Sequence, residues 1–265
     1  MSVVLVGVDG SSQSRDAAAF GDLLARAHGD QLVLVHARST GTAEGLSSAH
    51  GYDVETVAER SPAVALRRVA TRDDARAIVV GSSHRGRVGR VVPGGVAQHL
   101  LSSAHCPVAV APGGYADRPS RQLERIGCGF DGSAGSRAAW RFACATAVAQ
   151  HSTVRAIAVL ERIAFDQIPA SLTTPARSVH DELSTDLRRD LDELIAAAPD
   201  GVHAEGTFEE GAPAGVLIDA SEDLDLLVVG SRGRGPVGSV LLGSVGARLI
   251  VDAACPVLVV PRPRQ

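Results

Sequence analysis

The sequence predicts an α/β protein built from two repeated units, each a parallel sheet with helices on both faces. An internal repeat is the first observation behind this prediction, because residues 4–11 and 126–133 both read as an apolar strand followed by Asp-Gly-Ser. The second observation is that short apolar runs alternate with segments of helical spacing through both halves. Such alternation favours a doubly wound sheet, in which parallel strands are covered on both sides.

Each half begins with two predicted strands that flank a helix. The first half has strands at residues 4–7 and 32–37, and between them Phe20, Leu23, Leu24 and Ala27 follow helical spacing. The second half repeats this arrangement, with strands at residues 126–130 and 154–159. The Asp-Gly-Ser turns align with an offset of 131 − 9 = 122 residues.

The ends of the two halves also match, but with a larger offset of 230 − 81 = 149 residues. The matching pairs are residues 77–82 with 226–231 and residues 106–112 with 255–261. The extra 149 − 122 = 27 residues lie after the second strand of the second half, where residues 178–198 predict an amphipathic helix. At the same place the first half has only a polar loop, at about residues 39–51.

These boundaries predict two domains, at residues 1–113 and 122–265. The segment between them, beginning Gly113-Gly-Tyr, has the glycine, proline and polar residues of a linker. Each half ends on a strand bracketed by prolines, which are tolerated at sheet edges and limit further pairing there. We therefore expect both terminal strands at edges.

Composition excludes several classes of protein. A net charge of −4 argues against a partner that is nucleic acid or a membrane surface, and no apolar run reaches the length of a membrane span. The N-terminus reads as a strand and not as a signal peptide. Four cysteines without a C-x-x-C pair indicate buried, reduced thiols in a cytoplasmic protein, and the scattered histidines predict no metal site.

The stretch from residue 226 to residue 253 has the organisation of an anion site. An apolar strand is followed by a glycine-rich loop that carries Arg232 and Arg234 and no acidic residue, and Gly243-Ser244 then opens a helix. A helix N-terminus offers unpaired N–H groups and a partial positive charge, and glycines let a ligand approach the backbone. Phosphate is the natural candidate.

In each half an acidic residue follows the first predicted strand. Ligands of doubly wound sheets bind beyond the carboxyl ends of the strands. Asp131 and Gly230 both follow strands, as do Asp9 and Gly81 in the first half. We therefore expect each pair to border one crevice, with the carboxylate accepting hydrogen bonds from ligand hydroxyls.

These residues resemble the universal stress protein family in its tandem form. The family motif G-x-x-G-x(9)-G-[S/T] is matched by Gly230, Gly233, Gly243 and Ser244, and the resemblance covers nearly the whole chain twice. It implies a five-stranded sheet of order 3-2-1-4-5 in each half. It also implies that the halves pair through their last strands and that the whole chain could form a homo-oligomer.

The resemblance further implies ATP as ligand, together with Mg²⁺. By analogy Gly230 lies against the ribose, Asp131 takes a ribose hydroxyl and the backbone near Val159 meets adenine. Phosphates would be held by Gly233, Gly243, Ser244 and Val245, and the predicted set is completed by Arg232 and Gly129. The corresponding residues of the first half are Gly7, Asp9, Ala37, Gly81 and Gly94.

The first half departs from the motif at two aligned positions. His84 stands where the second half has Gly233, and Gly95 stands where it has Ser244. A side chain at the former position and a lost hydroxyl at the latter both disfavour phosphate. We therefore predict that the first half binds ATP more weakly than the second.

Three functions remain open at this stage. The leading prediction is a nucleotide-binding stress or regulatory module with little or no turnover. A slow ATPase or a nucleotide-dependent transferase is the second, although only Asp131 offers a general base. The third is a nucleotide-free interaction protein. A dinucleotide-binding protein is disfavoured, because Gly127 of the Gly127-x-Gly129-x-x-Gly132 run aligns inside a strand and no acidic residue follows at the required distance.

Overall fold

A computed structural model describes six segments of the chain, namely residues 2–37, 54–82, 95–118, 122–163, 170–231 and 243–262. They contain ten strands: β1 Val3–Gly7, β2 Gln31–Ala37, β3 Val54–Val57, β4 Ala77–Gly81, β5 Val108–Ala111, β6 Arg125–Phe130, β7 Thr153–Glu161, β8 His203–Gly211, β9 Leu226–Gly230 and β10 Val257–Val260. The α-helices of the same segments are α1 Ser12–His28, α2 Pro62–Arg72, α3 Gly95–Ser103, α4 Ala134–Gln150, α5 Ala170–Ala196, α6 Pro213–Ala220 and α7 Ser244–Asp252.

All ten strands form one sheet, in the order β3-β2-β1-β4-β5-β10-β9-β6-β7-β8. Numbered within its own half, each set of five has the order 3-2-1-4-5, and neighbours within each half are parallel. The predicted fold class and strand order are confirmed.

The two halves meet at β5 and β10, which pair antiparallel with Val257 opposite Val110 and Val259 opposite Val108. All four valines are buried, none more than 3% exposed. The prolines at both ends of each strand therefore do not prevent a short central ladder. The strands that were expected at the edges of their own halves lie at the middle of the combined sheet.

A hydrophobic core covers each face of the sheet and runs across both halves. On one face α1, α4 and α5 pack on the strands, with Phe20, Trp140 and Leu191 among the buried residues. On the opposite face the strands are covered by α2, α3, α6 and α7, through Leu66, Leu217 and other apolar residues. Helices on both faces complete the doubly wound arrangement.

Helices α1 and α4 begin in the same way. The hydroxyl of Ser11 accepts a hydrogen bond from Ser14 N, and that of Ser133 accepts one from Ser136 N. These N-caps satisfy backbone donors that the first turn of a helix leaves unpaired. The two helices also contact each other across the junction of the halves, where His28 Nε2 lies 2.9 Å from Thr146 Oγ1.

The predicted linker is anchored over its described part. Tyr115 begins a 3₁₀ turn, is 3% exposed and packs edge-to-face on Phe20, with ring centroids 5.5 Å apart. The buried carboxylate of Asp16 accepts hydrogen bonds from Gly114 N and Ala116 N, at 2.9 and 2.8 Å. Residues 113–118 therefore belong to the packed structure, whereas residues 119–121 lie outside the described part.

The amphipathic helix of the second half is longer than predicted, since α5 runs from Ala170 to Ala196. Its inward residues Leu191 and Leu194 are buried over the strands. The equivalent part of the first half, predicted as a polar loop at residues 39–51, lies outside the described residues.

Candidate functional site

A crevice opens at the carboxyl ends of β6, β7 and β9, beside the first residues of α7. Its lining joins parts of the second half that are far apart in sequence. The lining residues are Gly129, Phe130, Asp131, Ser133, Ser136, Ile157, Val159, Pro213, Leu217, Val229, Gly230, Gly243, Val245 and Gly246. Six of the nine residues predicted for this half are among them: Gly129, Asp131, Val159, Gly230, Gly243 and Val245.

The other three predicted residues have different positions. Ser244 is the exposed first residue of α7, and it directly adjoins the lining residues Gly243 and Val245. Arg232 and Gly233 lie outside the described residues.

Asp131 borders the crevice on an exposed turn. Its Oδ1 accepts a hydrogen bond from Ser133 N at 3.1 Å, and Ser133 in turn caps α4. The turn therefore fixes the carboxylate relative to both the strand and the helix. A carboxylate held in this way can accept hydrogen bonds from ligand hydroxyls, whereas it repels phosphate.

Gly230 is required by close packing of the backbone. A Cβ atom at this position would lie 2.6 Å from Gly135 O and 2.8 Å from Ser136 N, both in the first turn of α4. Gly81 has the same relation to Gln13 in α1, whose carbonyl carbon would lie 2.7 Å from such an atom. Both glycines therefore let the first helix of their half approach the end of the fourth strand, whether or not a ligand is bound.

The start of α7 lies at the crevice, since Gly243, Val245 and Gly246 are among the lining residues. Gly243 is the N-cap residue, with extended backbone (φ −63°, ψ 161°) and no side-chain hydrogen bond to the helix. The first N–H groups of a helix are left without intrahelical partners and carry a partial positive charge. This part of the crevice is therefore suited to an anion, and its apolar lining residues, among them Ile157 and Leu217, are suited to a flat ring.

The first half contains an equivalent crevice. Of the predicted residues Gly7, Asp9, Ala37 and Gly81 line it, whereas Gly94 lies outside the described part of the chain. Asp9 accepts hydrogen bonds from Ser11 N at 3.0 Å and from Ser11 Oγ at 2.5 Å. The remaining lining residues are Val8, Ser11, Gln13, Ser14, Val35, His36, Pro62, Leu66, Val80, Ser82, Gly95 and Val96.

The two crevices differ in size. The cavity volume is about 420 Å³ in the first half and about 70 Å³ in the second. The motif predicted the second half as the stronger ATP site, but it did not reveal this difference. Volume depends on how side chains from four or five elements fill the space, and a motif of glycines and serine carries no information about that.

His36 lines the first-half crevice and was missed from the sequence. Its Nδ1 lies 3.0 Å from Val8 O, and because a carbonyl only accepts, Nδ1 carries the proton and Nε2 is an acceptor. Nε2 is buried without a hydrogen-bond partner in the described structure. The aligned residue of the second half is Ala158, so a comparison of the two repeats could have revealed the difference.

The described residues hold no group of three or more His, Cys, Asp or Glu side chains that could bind a metal ion. The four cysteines are buried and unpaired, and burial raises the pKa of Cys106 to about 12 and that of Cys144 to about 11. They are therefore inert thiols that pack in the core. Among the described helices none is both long and apolar enough to cross a membrane.

Two doubly wound units fused into one sheet, with a crevice at the carboxyl end of each half, define a class of tandem α/β proteins. Within that class the chain belongs to the universal stress protein family, whose family model matches residues 1–59, 53–112 and 122–261. The predicted family is thereby confirmed.

Relatives and solved structures agree with this assignment. A universal stress protein of Mycolicibacterium smegmatis is 33% identical over 226 residues, which is 84% of this chain and 73% of that protein. A universal stress protein of Mycobacterium tuberculosis is 29% identical over 264 residues, 96% of this chain and 78% of that one. The crystal structure of a universal stress protein from Archaeoglobus fulgidus has the same fold, with a TM-score of 0.66 at 16% identity over 98% of both chains.

Proposed function

We propose that the chain binds ATP in the second-half crevice and that the nucleotide acts as a ligand or switch in a stress response. One observation carries the proposal: the crevice brings together an exposed carboxylate, an apolar end and the N-terminus of α7. These are the three chemistries that ribose, base and phosphate require.

The chemistry of the lining residues matches such a ligand, and the described cavity of about 70 Å³ would enclose only part of it. Asp131 would accept hydrogen bonds from ribose hydroxyls, and the backbone at Val159 would meet the base. The phosphates would be held at Gly243, Ser244 and Val245, and by the family motif Arg232 and Gly233 would join them. Mg²⁺ would be held mainly by phosphate oxygens and water, because the described residues supply Asp131 but no carboxylate cluster.

We also propose that residues 1–113 and 122–265 act as two units that stay paired in solution through β5 and β10. The antiparallel ladder and its buried valines support this proposal. A cytoplasmic location is proposed as well, because all four thiols are buried and unpaired.

The direct test is to purify the protein, denature it and identify any released nucleotide by mass spectrometry. We expect ATP. Recovery of ADP, with phosphate released on incubation with ATP, would favour the slow ATPase or transferase. If nothing is released and calorimetry with ATP and Mg²⁺ shows no heat of binding, the nucleotide-free interaction protein is favoured instead.

Our first prediction assigns the strong ATP site to the second half. We expect Asp131→Asn to weaken ATP binding roughly 10- to 100-fold, since a hydrogen bond to a charged acceptor contributes about 1.5–3 kcal/mol. Asp9→Asn is the matched control, because it makes the same change in the other half and should leave the strong site intact. Titration calorimetry measures both, and loss of the strong site in Asp9→Asn would refute the assignment.

A further inference from the structure

Helix α5 reaches the turn that carries Asp131 through one side chain, that of Asp190. Arg137 of α4 donates a hydrogen bond from Nη2 to Asp190 Oδ2 at 2.9 Å, so the two side chains form an ion pair. The same Oδ2 atom lies beside the turn, because a Cβ atom at Gly132 would be 3.1 Å from it. Gly132 has the left-handed backbone (φ 74°) that closes this turn. Asp190 is therefore next to the turn and paired with the helix that follows it.

Arg137 connects the end of β6 to the start of α4. Its backbone N–H donates to Ser133 O at 3.0 Å, in the first turn of the helix. Its guanidinium lies over the ring of Phe130, 5.5 Å from the ring centroid, and Phe130 directly precedes Asp131. A cation in the first turn of a helix is disfavoured by the helix dipole, and the carboxylate of Asp190 offsets this effect. The ion pair therefore holds the guanidinium against the residue before Asp131.

Helix α5 is packed on the sheet at this point. Leu191, the residue after Asp190, is buried, and so is Leu194 about one turn further on. Leu191 lies against β8, where a Cβ atom at Gly206 would be 3.3 Å from Leu191 Cγ. The side chains of Arg137 and Asp190 are 38% and 31% exposed, so solvent screens their attraction only in part. Asp190 thus belongs to a packed part of α5 and can hold the turn in place.

The corresponding turn of the first half has no such ion pair among the described residues. Arg15 is the counterpart of Arg137, since the two are related by the same offset of 122 residues as Asp9 and Asp131. Arg15 is exposed and forms no ion pair with any residue that the structure describes. Within the described parts of the chain, the contact made by Asp190 therefore distinguishes the turn of the second half from that of the first.

We propose that Asp190, acting through Arg137, is a positioning residue that orients Asp131 toward the hydroxyls of the bound ribose. This inference rests on the proposed function and deepens it, because it states what holds the carboxylate in place on an exposed turn. A side chain that is already oriented loses less conformational freedom when the ligand binds. Neither Asp190 nor Arg137 is among the residues that line the crevice, so their effect is exerted on the turn and not on the nucleotide.

The test is titration calorimetry of the full chain with ATP and with dideoxy-ATP, the analogue that lacks the ribose hydroxyls, each with Mg²⁺. Wild type should prefer ATP, and Asp190→Asn should lower this preference by roughly threefold, which is the scale of a partly exposed ion pair. Affinity for the analogue should be unchanged, because it has no hydroxyl for Asp131 to bind. Asp190→Glu keeps a carboxylate and should retain most of the preference.

A matched control is available in the same half. Arg155 and Glu205 form an ion pair of similar exposure between β7 and β8, with side chains 39% and 42% exposed. Glu205→Gln should therefore keep the wild-type preference for ATP. The Ser133 amide, which donates to Asp131 Oδ1, supplies a readout that needs no ligand. Its hydrogen exchange should accelerate in Asp190→Asn without nucleotide and stay as in wild type in Glu205→Gln.

The outcomes separate this inference from the proposed function. If Asp190→Asn weakens both compounds equally, its role is structural only, and the inference is refuted while the proposed function stands. The same holds if Asp190→Asn keeps the wild-type preference for ATP, or if exchange at Ser133 is unchanged. If wild type binds neither compound, the proposed function fails and this inference fails with it.

Discussion

At the scale of single residues, Gly230 belongs to the family motif and is also required for close packing of the backbone. The motif selected Gly230 from its spacing, and the structure shows a packing role for it that needs no ligand. Its hydrogen faces the first turn of α4, where a Cβ atom would lie 2.6 Å from Gly135 O. Because backbone cannot move aside as a flexible side chain can, substitution there should separate helix from strand.

We therefore predict that Gly230→Ala lowers the free energy of unfolding by about 1–3 kcal/mol in the absence of any nucleotide. Gly95→Ala is the matched control, because a Cβ atom there meets no atom of the described residues within 4 Å and alanine favours the helix that begins at this residue. Chemical denaturation without ligand measures both variants. Equal stability of Gly230→Ala and wild type would show that the close approach to α4 is not required.

The sequence predicted some residues of the candidate site better than others, and the reason is physical. Asp131 and Gly230 follow strands of a parallel sheet, so topology alone brings them to one crevice. Leu217 and Pro213 come from α6, whose approach to the crevice depends on tertiary packing. His36 was missed because a histidine on a strand has no distinctive spacing, and its unpaired Nε2 is visible only in three dimensions.

At the scale of elements, the described part of the segment that joins the halves has packing contacts that its composition did not predict. Glycine, proline and polar residues indicated a linker, but Asp16 of α1 binds its backbone and Tyr115 packs on Phe20. The two partners of this contact are about a hundred residues apart in sequence. Local composition therefore could not reveal it.

We predict that Asp16→Asn destabilises the protein by about 2–3 kcal/mol, because its amide would direct an N–H group at one of two backbone donors. Hydrogen exchange at Gly114 and Ala116 should accelerate with it. Asp22→Asn on the same helix is the control, since Asp22 takes part in a surface ion pair with Arg26 and such pairs contribute little. If exchange at the two amides is as slow in Asp16→Asn as in wild type, Asp16 does not anchor the segment.

The ladder between β5 and β10 is the second element-scale feature, and it supports a separate prediction. Val257 is fully buried opposite Val110. Val257→Asp should lower the free energy of unfolding by at least about 3 kcal/mol, because an unpaired carboxylate would be buried in the core. Val179→Asp, at a position that is 55% exposed on α5, should change stability little. A melting midpoint unaffected by Val257→Asp would contradict the proposed pairing of the halves.

At the scale of the whole molecule, the repeat in the sequence determined most of the architecture. Two copies of one alternating pattern imply two sheets of the same order, and each half has the order 3-2-1-4-5. The contact of α1 with α4 across the junction was not predicted, because periodicity reveals which face of a helix is apolar but not which partner covers it. At this contact His28 lies against Thr146 and Phe142, with its ring 5.4 Å from the phenyl ring.

This contact should make the pairing of the two halves sensitive to acid. Burial, with a smaller effect from Arg76 and an opposing one from Asp30, lowers the pKa of His28 from 6.5 to about 4. The unfolded chain therefore binds a proton at His28 between about pH 6.5 and pH 4, whereas the folded chain does not. Over this window the free energy of unfolding falls as the pH falls, by an amount on the order of 2 kcal/mol for a half-buried group.

We accordingly predict that His28→Gln removes this part of the pH dependence. Glutamine keeps a polar group near Thr146 but cannot take up a proton, so the difference in unfolding free energy between pH 7 and pH 4.5 should be smaller than in wild type. His99→Gln on the exposed face of α3 should retain the wild-type difference. Denaturation at a series of pH values measures all three proteins. If wild type and His28→Gln lose stability in parallel on acidification, His28 is not a buried neutral group at the junction, and other residues cause the acid sensitivity.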